Sequence, residues 1–130
     1  MRIALFVVAA VVLVVFIAIG YVIPGMADAK AKSAAQALLT GAESAKAQIG
    51  KVAEKSGSLA GSGRGVKVDG RSDASLGALK WVVSEDGAVR GWNGEYAIEI
   101  TLTPSLKGGK VAWSCSGYPR NAMPQSCGGA

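Results

Sequence analysis

Residues 95–104, EYAIEITLTP, alternate cleanly between apolar and polar side chains. The apolar set is Tyr96, Ile98, Ile100 and Leu102, and the intervening set is Glu95, Ala97, Glu99 and Thr101. Successive side chains of a β-strand point to opposite faces, so this pattern predicts a strand with one buried face and one face in water. The buried face needs an apolar partner elsewhere in the chain, which makes this strand the reference point for the rest of the fold.

Turn signals on both sides of this segment predict further antiparallel strands. Hairpin signals occur at Asp86-Gly87, at Asn93-Gly94 and, more weakly, at Gly108-Gly109. The segments that they separate are LKWVVS, AVRGW, EYAIEITLTP and KVAWSC. They predict an antiparallel meander of about four strands within residues 78–130. Residues 56–77, just before it, are rich in glycine and serine, which predicts a connecting loop.

An amphipathic helix is predicted over residues 25–55. Its apolar side chains recur at alternating intervals of four and three residues, which places them in one stripe on a helix face. The stripe consists of Ala31, Ala35, Leu38, Ala42, Ala45, Ile49 and Val52. Lys55 in the last turn and Gly57 just beyond it predict the end of the helix. This stripe is the natural cover for the sheet. We therefore expect a helix–sheet core of Leu38, Ile49, Val52, Tyr96, Ile98, Ile100 and Leu102.

Residues 1–24 form a separate segment, dominated by the uncharged run IALFVVAAVVLVVFIAIGYVI at residues 3–23. As a helix that rises about 1.5 Å per residue, the run would span roughly 30 Å, the hydrocarbon thickness of a bilayer. It predicts a membrane-spanning helix, with a cleaved secretory signal as the alternative. The side chains assigned to the membrane or to subunit packing are Ile3, Leu5, Phe6, Val8, Val12, Leu13, Phe16 and Ile19. Gly20 and Pro24 mark a predicted weak point, because a proline removes a helix hydrogen bond.

The two cysteines lie at the ends of one irregular stretch, WSCSGYPRNAMPQSC, residues 113–127. The chain has no histidine and no third cysteine, and the interval between the two contains no carboxylate, so the sequence gives only weak support to a zinc site. The spacing is also unlike the Cys-x-x-Cys of a redox pair. A structural disulfide between Cys115 and Cys127 is therefore predicted. Disulfides persist outside the reducing cytosol, which places the C-terminal part of the chain outside.

The residue inventory argues against catalysis. There is no histidine and no free nucleophilic cysteine, and the carboxylates Glu95 and Glu99 are explained by the wet face of their strand. We therefore predict that the protein is not an enzyme and holds no cofactor or metal. The predicted fold class is α+β: a long N-terminal helix, apolar in front and amphipathic behind, on an antiparallel meander with a C-terminal disulfide loop.

The charge balance raises a binding hypothesis. Fourteen lysines and arginines stand against nine acidic residues, for a net charge of +5. Spread positive charge supports weak, salt-sensitive contact with DNA phosphates, for which Lys107, Lys110 and Arg120 are the candidates. Because the basic residues do not cluster in sequence, solvated surface positions are the favoured alternative.

Each of the three tryptophans has a predicted environment. Trp81 lies in a predicted strand and Trp113 enters the disulfide loop, so both are expected to pack in the core. Trp92 abuts the Asn93-Gly94 turn and is a candidate for an exposed contact with a subunit or ligand.

The most specific motifs lie at the two ends of the disulfide loop, Trp113-Ser114-Cys115 and Met123-Pro124-Gln125-Ser126-Cys127. Together with the apolar helix, its proline, the amphipathic continuation and the meander, they resemble a type IV pilin of Gram-negative bacteria. The resemblance is to a type IVa-like major pilin or to a divergent pilin-like subunit. The front of the chain departs from that family, because no acidic residue precedes Asp28 where the family carries an early glutamate.

The resemblance implies a structural function. Such a subunit polymerises through its N-terminal apolar helix into a pilus, or fimbrium, that serves adhesion, motility or DNA uptake. It implies N-terminal methylation, and an inner-membrane stage in contact with lipid and the assembly machinery. An extracellular homo-oligomeric filament follows. The alternatives are a single-pass membrane-anchored periplasmic or extracellular binding domain, and a DNA-binding minor pilin.

Overall fold

A computed structural model describes the backbone of residues 2–129 and the side chains of residues 10–13 and 28–129. Within those residues the chain is α+β. The elements are α1 (Arg2–Ser56), β1 (Arg71–Asp73), β2 (Gly77–Val83), β3 (Val89–Asn93), β4 (Ile98–Lys107) and β5 (Lys110–Tyr118), followed by two 3-10 helices, Arg120–Ala122 and Gln125–Cys127. The end of α1 at Ser56, with Gly57 in a left-handed conformation (φ +73°), confirms the predicted helix end.

The five strands form one antiparallel sheet in sequential order, β1-β2-β3-β4-β5, so the predicted meander is confirmed. The predicted number of strands was too low, because β1 lies inside residues 56–77, the segment predicted as a loop. Three residues are too few to show alternation in the sequence. The structure holds them by pairing with β2 and by a turn in which the Asp73 carboxylate accepts the backbone N–H groups of Ser75 (2.8 Å) and Leu76 (3.0 Å).

Helix α1 covers one face of the sheet through a stripe of small and aliphatic side chains. The buried helix residues are Ala34, Ala35, Leu38, Ala42, Ala45, Ile49 and Ala53. The buried sheet residues include Leu79, Trp81, Val89, Ile98, Ile100 and Leu102. Five of the seven predicted core residues, Leu38, Ile49, Ile98, Ile100 and Leu102, therefore lie where they were expected. The many alanines let the helix backbone approach the sheet closely.

Two predicted core residues do not belong to the buried set. Val52 is 46% exposed, and Ala53 is buried in its place. Ala53 lies one turn after Ile49 on the same face, so the stripe has rotated away from Val52 by the last turn. Tyr96 is half-buried and precedes β4, in a turn where Ala97 has a positive φ of 53°.

Asn93 organises that turn through its side chain. It is buried, and its Nδ2 donates hydrogen bonds to the carbonyl oxygens of Leu76 (2.8 Å) and Ala78 (2.9 Å). Its Oδ1 accepts the backbone N–H of Tyr96 at 3.0 Å. The turn predicted at Asn93-Gly94 is present, and the Asn93 side chain also ties β3 to the start of β2.

The predicted apolar segment falls mostly on residues whose side chains lie outside the described set. Those residues are Ile3, Leu5, Phe6, Val8, Phe16 and Ile19, together with the predicted weak point at Gly20 and Pro24. Val12 and Leu13 are described, and they are 57% and 63% exposed. A search of residues 10–13 and 28–129 finds no helix with the length and apolarity of a membrane span. The membrane assignment of residues 3–23 stays a prediction from sequence.

Candidate functional site

The C-terminal loop is closed by the predicted disulfide. Cys115 in β5 and Cys127 in the last 3-10 helix are bonded, with their Cα atoms 4.4 Å apart. Cys127 is buried with Ala122 and Met123, so these three residues extend the hydrophobic core beyond the last strand. The predicted disulfide is confirmed, and it fastens the chain after β5 back onto that strand.

Gly117 makes the close packing of this loop on β5 possible. A Cβ at this position would overlap the Sδ of Met123 and approach the carbonyl oxygen of Glu99 within 2.8 Å. Met123 therefore lies directly on the backbone of β5. Exposed side chains of the loop, such as Arg120, Asn121 and Gln125, point away from this contact. The loop is a packed extension of the domain with a polar outer surface.

A small cleft lies between the C-terminal loop and the part of helix α1 around Asp28 and Ala31. It has a volume of about 220 Å³ and is lined by Asp28, Ala31, Tyr96, Pro119, Asn121 and Ala122. A larger open groove of about 460 Å³ lies beside β2, where Arg64, Lys67 and Val82 are among the lining residues. Arg64 is already paired with Glu85 across this groove, at 3.9 Å.

The three residues predicted for DNA contact do not form one surface. Lys107 and Lys110 are cross-strand partners at the tip of the β4–β5 hairpin. Arg120 follows the other end of β5, about 30 Å away along the strand at about 3.4 Å per residue. Glu54 also reaches the hairpin, where its Oε1 accepts the backbone N–H of Val111 at 3.3 Å. The structure therefore supports a local lysine pair and separates Arg120 from it.

The outer face of the sheet, opposite α1, brings together side chains that lie far apart in the sequence, between Lys80 and Tyr118. The strand register aligns Lys80, Trp92, Glu99 and Tyr118 in one row across β2, β3, β4 and β5. The next row contains Val82, Arg90, Thr101 and Ser116. Trp92 is 37% exposed and Tyr118 is 70% exposed. We call these two rows the outer-face rows.

The charges of the outer-face rows are largely paired. Arg90 forms an ion pair with Glu99, the residue that stands between the two aromatic rings. Lys80, at the end of the row, is the other basic residue of these rows. The sequence identified Trp92 as a candidate exposed contact but not Tyr118. The register that places them on either side of Glu99 is set by two hairpins, β3–β4 and β4–β5, and cannot be read from local patterns.

The other two tryptophans lie on the helix side of the sheet. Trp81 is buried, and its Nε1 donates a hydrogen bond to the carbonyl oxygen of Leu38 at 2.9 Å. Trp113 is half-buried against the core, with the Lys46 Nζ 5.6 Å from its ring centroid. Both positions agree with the predicted core packing.

The described residues offer little for metal chemistry. Among residues 10–13 and 28–129, no group of three or more histidine, cysteine, aspartate or glutamate side chains is placed to hold a metal ion. The pKa of Asp73 is lowered from its ordinary value, chiefly by the backbone N–H of Ser75, then by the Ser75 hydroxyl and the Leu76 N–H. These contacts serve the turn after β1.

No known protein family's model matches the chain, and no curated protein or solved structure matches it significantly. The likeness to type IV pilins therefore rests on the C-terminal motif and on the order of the elements.

Proposed function

We propose that the protein is a structural subunit of a type IV pilus-like filament. The observation that carries the proposal is the way the disulfide-closed meander packs on the helix that directly continues the uncharged run of residues 3–23. The sheet is built onto the later part of α1, where Leu38, Ile49 and Ala53 are buried. Nearer its front, the same helix carries Val11, Val12 and Leu13, which are apolar and exposed.

The proposed mechanism is an exchange of apolar surroundings. Before assembly, the run of residues 3–23 would lie in lipid, which matches its length and lack of charge. In a filament, the same side chains would pack against those of neighbouring subunits. Val12 and Leu13, both exposed in the single chain, are described members of that surface. A run that is apolar all round can make this exchange, because it has no polar face that must be turned to water.

The test is to shear surface material from cells that produce the chain together with a pilus assembly apparatus. Electron microscopy is expected to show thin filaments, and intact mass spectrometry a subunit that retains residues 3–23 and carries a methylated N-terminus. Val12→Lys is expected to abolish filaments, since a charge at the centre of an apolar segment costs about 3 kcal/mol or more. Val12→Leu is the matched control and should assemble.

Three outcomes would contradict the proposal. If the protein is found only in the membrane fraction and no filaments are seen, the result favours a membrane-anchored external domain. A mature mass that lacks residues 3–23 would identify the run as a cleaved secretory signal. Filaments formed equally well by Val12→Lys would mean that the run does not line the assembly.

A further inference from the structure

We infer that the outer face of the sheet binds a neutral polysaccharide, whose pyranose rings stack on Trp92 and Tyr118. This inference goes beyond the proposed function and does not depend on it, because the rows that carry it lie within one subunit. The face opposite α1 has no covering element in the described part of the chain, and two partly exposed aromatic side chains in one row across it offer rings for stacking.

The geometry suits a chain of sugar rings. Trp92 on β3 and Tyr118 on β5 are each the direct cross-strand neighbour of Glu99 on β4. Neighbouring strands lie about 4.8 Å apart, so the two aromatic residues are separated by about 10 Å on one face. That distance is close to the length of a disaccharide. Two rings of one polysaccharide can therefore rest on the two side chains at the same time.

The chemistry between the rings also suits a sugar. The C–H groups of a pyranose face are attracted to the negative π-face of an aromatic ring. Glu99 lies between the two rings and offers carboxylate oxygens to sugar hydroxyl donors. The adjoining positions on β4 and β5 carry hydroxyl groups, which can both donate and accept hydrogen bonds. They are Thr101 opposite Ser116 and Thr103 opposite Ser114.

The charges favour a neutral ligand over a nucleic acid. A single strand that stacked its bases on Trp92 and Tyr118 would carry phosphates across Glu99, where like charges repel. Arg90, the nearest guanidinium, is already paired with Glu99. The main unpaired cation of the row is Lys80, at its far end. This arrangement lacks the basic track that strand binding requires, and a neutral sugar needs no such track.

The experiment uses the full chain in a detergent without a sugar headgroup, so that the detergent cannot compete. Cellohexaose, maltohexaose and chitohexaose are titrated to about 10 mM, with binding followed by calorimetry and tryptophan fluorescence. At least one of them is expected to bind. Trp92→Ala and Tyr118→Ala should each weaken binding about tenfold or more. Trp92→Phe and Tyr118→Phe keep an aromatic face and should retain most of it.

Val82→Ala is the matched control. Val82 is 54% exposed on the same face but offers no ring, so its truncation should leave the affinity unchanged. All three positions lie on the outer face and outside the buried core, so each variant should remain folded, as a cooperative thermal unfolding transition will show.

The inference is overturned if none of the three sugars binds, or if Val82→Ala weakens binding as much as Trp92→Ala does. Binding of single-stranded oligodeoxythymidylate that requires Trp92, with no sugar binding, would also overturn it and assign the face to nucleic acid. A failure to form filaments would leave these results unaffected, because a single chain in detergent is sufficient for them.

Discussion

Trp81 and Trp92 lie on neighbouring strands of one sheet and have opposite environments. Trp81 on β2 is directly opposite Gly91, whereas Trp92 on β3 is opposite Lys80. The first is 8% exposed and the second 37% exposed. Gly91 and Trp92 are consecutive residues of β3. Gly91 leaves room for the Trp81 indole on the helix side of the sheet, and the Trp92 indole lies on the side that faces water. The face of the sheet, more than the type of residue, therefore decides whether a tryptophan stabilises the fold or is available for binding.

The packing around Trp81 explains its role. A Cβ at Gly41 would overlap the ring from the helix side, and one at Gly91 would lie 2.9 Å from its Cδ1. The indole is therefore held between two glycines, with its N–H bonded to the carbonyl oxygen of Leu38. Trp92 has no comparable enclosure on the outer face, where it borders Glu99.

Trp81→Ala should have the largest effect and gives the most direct test of the comparison. Truncation of a buried tryptophan typically costs about 3–5 kcal/mol of the free energy of unfolding. Trp92→Ala should cost less, about 1 kcal/mol, because the side chain is more than a third exposed and loses mainly its cross-strand contacts with Lys80 and Glu99. Urea unfolding followed by far-UV circular dichroism measures both. Equal losses in the two variants would remove the distinction between the faces.

Removal of the disulfide is expected to have the next largest effect. The loop between Cys115 and Cys127 is short, and the chain-entropy model assigns about 3 kcal/mol to a closure of this size. Cys115→Ser with Cys127→Ser should therefore lower the midpoint of urea unfolding. In the absence of urea, the near-UV circular dichroism signal of the buried Trp81 indole should be retained in this variant. If that signal is already lost without urea, the disulfide is needed for the packing of the shared core itself.

Gly41→Ala tests the enclosure of Trp81 from the helix side. Alanine normally favours a helix, but here its methyl group would meet the indole ring, and overpacking of this kind costs about 1–3 kcal/mol. Gly50→Ala is the matched control, since a Cβ there has no neighbour within 4 Å. It should stabilise the chain by about 0.5–1 kcal/mol. Gly41→Ala should therefore lower the free energy of unfolding, and Gly50→Ala should raise it. If both substitutions raise it, the helix can move away from the Trp81 ring.

Asp73 should give the smallest effect, at the sheet edge away from both tryptophans. Its folded-state pKa is lowered, so its contribution to stability is complete above the unfolded-state pKa and is lost as the pH falls through the folded-state value. A carboxyl NMR titration should show a midpoint below the ordinary aspartate value. Ser75→Ala, which removes the hydroxyl donor and keeps the backbone N–H, should raise that midpoint part of the way. No change in this variant would exclude a role for the hydroxyl.

Much of the helix–sheet layer could be predicted from local patterns. The alternation through Ile98, Ile100 and Leu102 and the stripe through Leu38 and Ile49 each follow from the geometry of a single element. Both depend only on residues near one another in sequence. For this reason the meander, its turns and most of the core were predicted correctly.

The features that were missed depend on contacts between distant segments. Val52 turns outward because the sheet lies under Ile49 and Ala53 instead. The pairing of Trp92 and Tyr118 around Glu99 requires the registers of β3, β4 and β5 together. Such relations arise only after the hairpins have formed, so no window of the sequence contains them.

The hydrogen bond from Val111 to Glu54 has a consequence for how copies of the chain can meet. β5 is an edge strand, and an open edge can recruit a strand from another molecule and start aggregation. The Glu54 carboxylate already accepts one of the outward N–H groups of that edge, and a negative charge stands where an incoming backbone would have to pair. Copies of the chain at high local concentration would thus find this end of the edge strand already occupied.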